Sequence, residues 1–119
     1  MNPTKQLLED LKAARSLIAT PEGWTQGCMA RDRNNASVYA DSPEAVSFCA
    51  RGAVVRATNG YSLSTASRFT RALEYFKEYQ YVIDITAVND RSSHQDILRL
   101  FDRAIEDLTR RVLGTLIVP

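Results

Sequence analysis

Residues 92–112 read SSHQDILRLFDRAIEDLTRRV, and they predict the clearest helix in the chain. Apolar side chains recur there with the period of one helix face, at Leu98, Phe101, Ile105 and Leu108. Ser93 is followed three residues later by Asp96, a capping-box-like pair that marks a helix start. We therefore expect a helix over residues 94–112, with His94, the only histidine, in its first turn.

Two other segments have the same periodicity. Residues 4–19 carry leucines and alanines at helical spacing and end at a Thr-Pro-Glu-Gly turn. Residues 63–79 carry a comparable stripe that includes Phe69 and Phe76, with charged residues on the opposite side. Both segments are predicted to be amphipathic helices that bury one face.

A further helix is predicted over residues 41–57. Ser42 would be its N-cap, and Pro43 would occupy the first helical position, where a missing N–H group is tolerated. Gly52 lies within this segment, although glycine costs roughly 1 kcal/mol relative to alanine inside a helix. Such a cost predicts that a neighbouring backbone packs closely against Gly52.

The segment between the first two helices predicts a small β-hairpin. Residues 26–31 and 37–39 flank the polar turn Asp32-Arg33-Asn34-Asn35. Residues 81–85 alternate only in part, so they fit either a short strand or the end of the third helix. The expected fold is one domain over residues 1–119, mainly α (α+β), a four-helix domain with a hairpin between helices one and two.

Composition restricts the classes of function. Fifteen basic and fourteen acidic residues leave a net charge of +1, which argues against a dedicated nucleic-acid-binding protein. One histidine and two cysteines without close spacing make no zinc signature, and the chain has no glycine-rich phosphate loop. We therefore expect no metal and no cofactor.

The predicted location is cytoplasmic, with reduced thiols, because the chain lacks a signal core and a membrane-length apolar run. The apolar segment 113–119 would either close the core or join two subunits.

Cys49 and His94 are candidates for a catalytic pair. A cysteine nucleophile needs a base, and the base needs an orienting partner, for which Asn89 or Asp90 is available. Against this, Cys49 is predicted to lie two turns into its helix, away from the N-terminal dipole, on a face of small residues. The structural interpretation of Cys49 is therefore favoured over the catalytic one, as it is for His94 beside the stripe of Leu98.

Two other features suggest binding. Trp24, the only tryptophan, would either seal the edge of the core or anchor an interface, and burial is the favoured interpretation. The second and third helices resemble a helix-turn-helix, in which Arg68 and Arg71 would face DNA. Glutamates on that same helix favour an ordinary helical hairpin instead.

Three blocks of sequence together resemble a family of small uncharacterised proteins from bacteria and their phages. The blocks are WTQG at 24–27 with ARD at 30–32, FCARGA at 48–53, and ND at 89–90 with His94 and FDRAI at 101–105. The chain departs from the family pattern at Val88, where an aromatic residue is usual, and at Asn34-Asn35, where the hairpin turn usually has a glycine. The resemblance implies no known activity and favours an accessory role on a phage or mobile element.

The leading functional hypothesis is a non-enzymatic interaction protein that binds a protein partner or itself. Its expected contact residues lie in three loops: Trp24, Gln26, Arg31, Arg33, Asn89, Asp90 and His94. The alternative is a thiol hydrolase or transferase with Cys49 as nucleophile, His94 as base and Asp90 or Asn89 as orienting residue. DNA binding through Arg68 and Arg71 is the third hypothesis, and steep loss of affinity with salt would support it.

Overall fold

The helix predicted around Phe101 is present. The structure, a computed structural model that describes residues 2–117 and the side chains of residues 2–115, contains a helix over His94–Ile117, which we name α5. The hydroxyl of Ser93 accepts a hydrogen bond from the N–H of Asp96 at 3.1 Å, which confirms the predicted start. The helix continues beyond residue 112, because the free-energy cost of the single Gly114 is too small to end it. Of the apolar C-terminal segment, Leu113 is exposed, and the prediction for residues 116–119 falls on side chains outside the described residues.

The first and third predicted helices are also confirmed, as α1 (Pro3–Leu17) and α3 (Ala66–Gln80). Asn2 caps α1, because its side chain accepts the N–H of Thr4 at 2.7 Å. α3 ends at Tyr81, which adopts a left-handed conformation with φ 59°. α1 packs on α5 and on the helix that follows the sheet.

The predicted helix over residues 41–57 is wrong in its first half. Ser42 caps only a local turn, in which its hydroxyl accepts the N–H of Glu44 at 3.1 Å. The chain then forms a strand, and the helix, α2, covers only Ala50–Thr58. The strong capping signal at Ser42 was overridden because Val46 donates its N–H to the carbonyl of Arg31 at 2.8 Å, a pairing that no local pattern predicts.

A short helix, α4 (Ile85–Arg91), was not predicted. Residues 81–85 are neither a strand nor a continuation of α3. Asp84 caps α4 with its carboxylate, which accepts the N–H groups of Thr86 at 3.1 Å and Ala87 at 3.2 Å. Seven residues are too few to show a helical period in the sequence, so the fold has five helices in the described residues where four were expected.

The β element is a three-stranded antiparallel sheet with strand order β2-β1-β3. β1 (Ala30–Arg31) and β2 (Ser37–Val38) form the predicted hairpin, and β3 (Ser47–Phe48) is the added strand. A Cβ at Gly52 would overlap the carbonyl oxygen of Met29, so the expected close approach of a backbone to α2 is confirmed. The molecule is thus mainly helical with a small sheet.

One apolar cluster joins α1, α2, α3 and α5. Phe76 and Phe101 meet edge to face at its centre, with ring centroids 5.2 Å apart. Within residues 2–117, no helix combines the length and the apolar character required to span a membrane.

Candidate functional site

The predicted contact residues around Trp24 and Asn89 come together, although 65 positions separate them. The side-chain oxygen of Asn89 accepts the indole N–H of Trp24 at 2.8 Å and the backbone N–H of Ala50 at 2.9 Å. Its amide group donates to the carbonyl of Thr25 at 3.0 Å. Asn89 is fully buried, so this one side chain ties α4 to the Trp24 loop and to the start of α2.

Gln26 and Asp90 extend the same set of contacts. The amide of Gln26 donates to the backbone carbonyls of Asn89 and Ser92, both at 3.0 Å. Asp90 accepts the N–H of Gly27 at 3.0 Å, at a glycine with φ 85° that other residues rarely adopt. Both side chains therefore serve contacts within the chain.

Arg31 braces the Trp24 loop from the sheet. Its guanidinium donates to the hydroxyl of Thr25 at 2.8 Å and to the carbonyls of Gln26 at 3.1 Å and Asn35 at 3.2 Å. Arg33, by contrast, lies exposed in the hairpin turn and takes no part in these contacts. The structure thus unites six of the seven predicted contact residues and leaves Arg33 apart.

His94 closes this set from the start of α5. Its ring stacks on that of Trp24, with centroids 5.3 Å apart and planes inclined by 27°. Its Nε2 lies 2.6 Å from the carbonyl oxygen of Ile18. A carbonyl can only accept, so Nε2 carries the proton and His94 ties the end of α1 to α5. We name Trp24, Gln26, Arg31, Asn89, Asp90 and His94 the motif cluster.

Cys49 occupies a different position from the one predicted. It is the N-cap of α2, not two turns inside it, and its sulfur accepts the N–H of Gly52 at 3.3 Å. Burial nevertheless raises the pKa of the thiol, more than the N–H groups of Gly52 and Arg51 lower it. The negative charge of Asp90 raises this pKa further.

None of the hydrogen bonds among the described residues joins Cys49 to His94. The bond of His94 Nε2 goes to Ile18, and the carboxylate of Asp90 accepts from Gly27 and from the amide of Asn89. The orienting residue, base and nucleophile of the thiol-enzyme hypothesis are therefore each bonded to other groups.

Arg68, the first proposed DNA contact, is engaged in a pair with α1. Its Nε donates to a carboxylate oxygen of Asp10 at 3.1 Å, and its Nη2 donates to the other oxygen. Asp10 is 4% exposed and also accepts from Gln6 at 2.9 Å. A buried carboxylate needs such partners, so Arg68 holds α3 to α1. Arg71 is exposed.

The buried polar atoms of the motif cluster are bonded within the fold. In the part of the chain that the structure describes, no buried side-chain nitrogen or oxygen lacks a hydrogen-bond partner. Nor does that part hold three or more His, Cys, Asp or Glu residues placed to bind a metal ion. The chemistry that the cluster performs in this structure is to hold loops in place.

A surface with open bonding groups lies elsewhere, along the outer side of β2. Asp32 donates its N–H to the carbonyl of Ala36 at 2.9 Å, and Ala30 and Arg31 lie opposite Val38 and Ser37. Because bonded and non-bonded positions alternate in antiparallel pairs, the N–H and C=O of Ser37 point away from β1. Among residues 2–117, no strand pairs with that side of β2.

A groove of about 710 Å³ runs beside this edge. It is lined by Cys28, Met29, Ser37, Val38, Tyr39 and Ser42. We name β2 and these residues the edge groove. The sequence predicted the hairpin but gave no sign of which edge stays open, because β3 was read as part of a helix.

Comparison with known proteins places the chain in a family. No curated protein and no solved structure matches it. One family model, described as a family of unknown function (DUF6197), matches residues 2–107. That range includes the three blocks that build the motif cluster and α2. The chain therefore belongs to the DUF6197 family of unknown function.

Proposed function

We propose that the protein is a non-enzymatic interaction module that binds an extended segment of a partner protein along the edge groove. This keeps the function expected from the sequence and moves the contact surface from the Trp24 loop to β2. The open backbone groups of Ser37 are the observation that carries it. An extended peptide that adds to a sheet edge gains its affinity from such groups.

The two edges of the sheet differ in a way that supports this proposal. At the β3 edge, Thr25 donates its N–H to the carbonyl of Phe48 at 3.0 Å, so the Trp24 loop covers that side. At the β2 edge, Ser37 and Tyr39 are exposed. Proteins usually cover or shorten edges that have no partner. Here one edge is covered and the other has a groove beside it.

The lining of the groove indicates the kind of segment that fits. Met29, Val38 and Tyr39 present apolar surface, whereas Ser37 and Ser42 add hydroxyl groups. No charged residue is among them. Alternate side chains of a strand point to the same face, so one apolar side chain of the partner would enter the groove while its backbone pairs with Ser37.

The other hypotheses draw no support from the contacts. Cys49 is buried with a raised pKa, and the guanidinium of Arg68 is bonded to Asp10. We further propose a cytoplasmic location, which suits the two free thiols of Cys28 and Cys49. An accessory role on a phage or mobile element stays a prediction from the resemblance.

The test is a selection of random dodecapeptides displayed on phage, followed by calorimetry and amide NMR with the purified peptides. Ser37→Pro removes the outward N–H and is tolerated at an edge, whereas Ser37→Thr retains the N–H and serves as the matched control. We expect selected peptides to shift the amides of residues 37–39. They should lose at least about tenfold in affinity with Ser37→Pro and little with Ser37→Thr.

Three results would overturn the proposal. The first is a failure to select any peptide. The second is binding that shifts the signals of Trp24, Asn89 and His94 instead of those of β2, or that is unchanged by Ser37→Pro in a variant whose spectrum shows the native fold. The third is a dimer, measured by sedimentation, that Ser37→Pro dissociates, because the edge would then belong to a second copy of this chain.

A further inference from the structure

A second depression adjoins the edge groove and shares Tyr39 with it. It has a volume of about 300 Å³ and is lined by Tyr39, Asp41 and Tyr61. Both rings are open to solvent, since Tyr39 is 77% and Tyr61 49% exposed. We name these three residues the tyrosine notch.

The turn that carries Asp41 is firmly held. Ser42 donates its N–H to the carbonyl of Tyr39 at 3.0 Å, and Ala40 is fully buried. Arg56, on α2, donates through Nη1 to the carbonyls of Ala40 at 3.0 Å and Ser42 at 2.7 Å. The position of Asp41 is therefore set by contacts on both sides of it in the chain.

Tyr61 is placed by the end of α2. Asn59 adopts a left-handed conformation with φ 53°, and Gly60 donates its N–H to the carbonyl of Val55 at 3.0 Å. A Cβ at Gly60 would come within 3.0 Å of the Phe69 ring. The chain thus turns tightly against α3 just before Tyr61, which brings this ring to the same depression as Tyr39.

Asp41 places a carboxylate in the notch. No ion pair among the described residues involves Asp41, and the lining includes no lysine or arginine. Arg56 faces the backbone carbonyls of the turn and the ring of Phe48, at 5.7 Å from its centroid. The faces of two phenol rings and one carboxylate all attract positive charge.

The same set of groups occurs elsewhere in the molecule with a cation in place. Arg111 lies 4.1 Å from the centroid of the Tyr79 ring and 5.7 Å from that of Tyr75, and it pairs with Asp107 at 3.0 Å. Two tyrosines and one aspartate therefore hold an arginine between α3 and α5. The tyrosine notch presents the same types of side chain, two tyrosines and one aspartate, at the surface. No arginine is among its lining residues.

We infer that the tyrosine notch binds a lysine or arginine side chain of the partner segment. The inference rests on the proposed function, because it assigns a second recognition element to the segment that pairs with β2. The partner would carry an apolar residue for the edge groove and a cationic residue near it for Asp41. An acidic residue at that position would be repelled.

The notch is tested on its own with two small probes in amide and aromatic NMR titrations. Nα-acetyl-lysine N-methylamide carries the ammonium group, and Nα-acetyl-norleucine N-methylamide has the same backbone without it. We expect the lysine probe to shift the signals of Tyr39, Asp41 and Tyr61 with an affinity at least about threefold above that of the norleucine probe. Asp41→Asn should remove this preference.

Glu44→Gln is the matched control, because it removes the same charge from an exposed position close in the chain but outside the notch. It should leave the preference for the lysine probe unchanged. Equal shifts with both probes, or a preference that survives Asp41→Asn, would overturn the inference. Selected peptides that bind β2 without favouring Lys or Arg would overturn it and leave the proposed function standing. Lysine binding in the notch without any peptide at β2 would overturn the proposed function and leave a cation site without a partner segment.

Discussion

The motif cluster and the edge groove differ in what their polar groups do. In the motif cluster, Asn89 satisfies Trp24, Thr25 and Ala50, and it is fully buried. In the edge groove, Ser37 directs its backbone groups outward and Tyr39 is exposed. The first region has the more distinctive sequence, with the only tryptophan and the only histidine. The second has an ordinary sequence, but the backbone N–H and C=O of Ser37 are available to a partner.

Residues that are distinctive in the sequence are therefore not the ones whose polar groups are available to bind a partner. A polar side chain that satisfies several buried backbone groups is required for the fold, since each group would otherwise be left without a partner. Asn89 meets that description. A binding surface needs groups that are not already bonded, and these occur at β2 and in the tyrosine notch. The comparison predicts that mutations in the two regions divide between stability and binding.

The largest effect is expected from Asn89→Leu. It leaves the indole N–H of Trp24, the N–H of Ala50 and the carbonyl of Thr25 without partners, which should lower the free energy of unfolding by about 4 kcal/mol. Asn89→Asp keeps the acceptor oxygen but buries a carboxylate against the carbonyl of Thr25 and the carboxylate of Asp90, so it should also cost about 3 kcal/mol or more. Urea unfolding followed by circular dichroism measures both. Losses below about 1 kcal/mol would mean that the motif cluster is not structural.

Gly52→Ala should have the next largest effect. The new Cβ would overlap the carbonyl oxygen of Met29, so α2 must move away from the sheet at a cost of about 2 kcal/mol. Gly114→Ala is the matched control, since none of the described atoms lies within 4 Å of its Cβ position and the change favours the helix. Gly114→Ala should stabilise the protein by about 0.5–1 kcal/mol. Equal urea midpoints for Gly52→Ala and Gly114→Ala would contradict the packing described for Gly52.

Alkylation by iodoacetamide tests whether Cys49, which precedes the Ala50 bonded by Asn89, is a reactive thiol. Because burial raises the pKa of this thiol, its thiolate fraction is reduced at every pH below that pKa. We expect Cys49 to react at least about tenfold more slowly than the half-buried Cys28 at pH 7, and to react readily once the chain is unfolded. Peptide mass spectrometry resolves the two sites.

His94→Ala is the comparison variant for this experiment. It should leave the labelling rate of Cys49 no slower than in the wild type, because no hydrogen bond joins the two side chains in the described residues. Fast labelling near pH 6 that slows in His94→Ala would instead restore the thiol-enzyme hypothesis and reverse the comparison between the two regions.

The smallest effect on stability is expected from Tyr39→Ser. The ring is largely in solvent, so its loss should change the free energy of unfolding by less than about 0.5 kcal/mol. Because Tyr39 lines both the edge groove and the tyrosine notch, the same change should weaken peptide binding by about tenfold or more. Calorimetry with a selected peptide measures the second quantity. A variant that is destabilised but binds normally would place Tyr39 with the structural residues.

The sequence predicted the elements whose signals are local. α1, α3, the hairpin and the start of α5 at Ser93 follow from side-chain period, turn chemistry and capping. The prediction of secondary structure failed where a local signal competes with pairing to a residue distant in the chain. Ser42 has the chemistry of a helix N-cap, but Val46 and Phe48 pair with β1. α4 was missed because seven residues carry too little periodicity to be recognised.

For the site, the sequence singled out residues that the fold brings together, while their bonding partners could not be read from it. Trp24, Asn89, Asp90 and His94 were singled out, and they do lie together. Their roles depend on which groups they meet across the fold, as with the indole N–H of Trp24 and Asn89. The tyrosine notch had no signal in the sequence, because Tyr39 and Tyr61 belong to separate loops that only the tertiary structure brings together.

By itself, the sequence determined that this protein is mainly helical, where α1, α3 and α5 run, and that a hairpin separates the first two helices. The helices follow from hydrogen bonds and side-chain contacts within four residues along the chain, and the hairpin follows from pairs such as Ala30 and Val38, eight residues apart. Only the tertiary structure decided that β3 replaces the start of a helix, that Asn89 is bonded on all sides, and that Ser37 faces solvent. The first two depend on partners distant in the chain, and the third on β3 pairing with the other side of β1, so all three are set by the packing of the whole core.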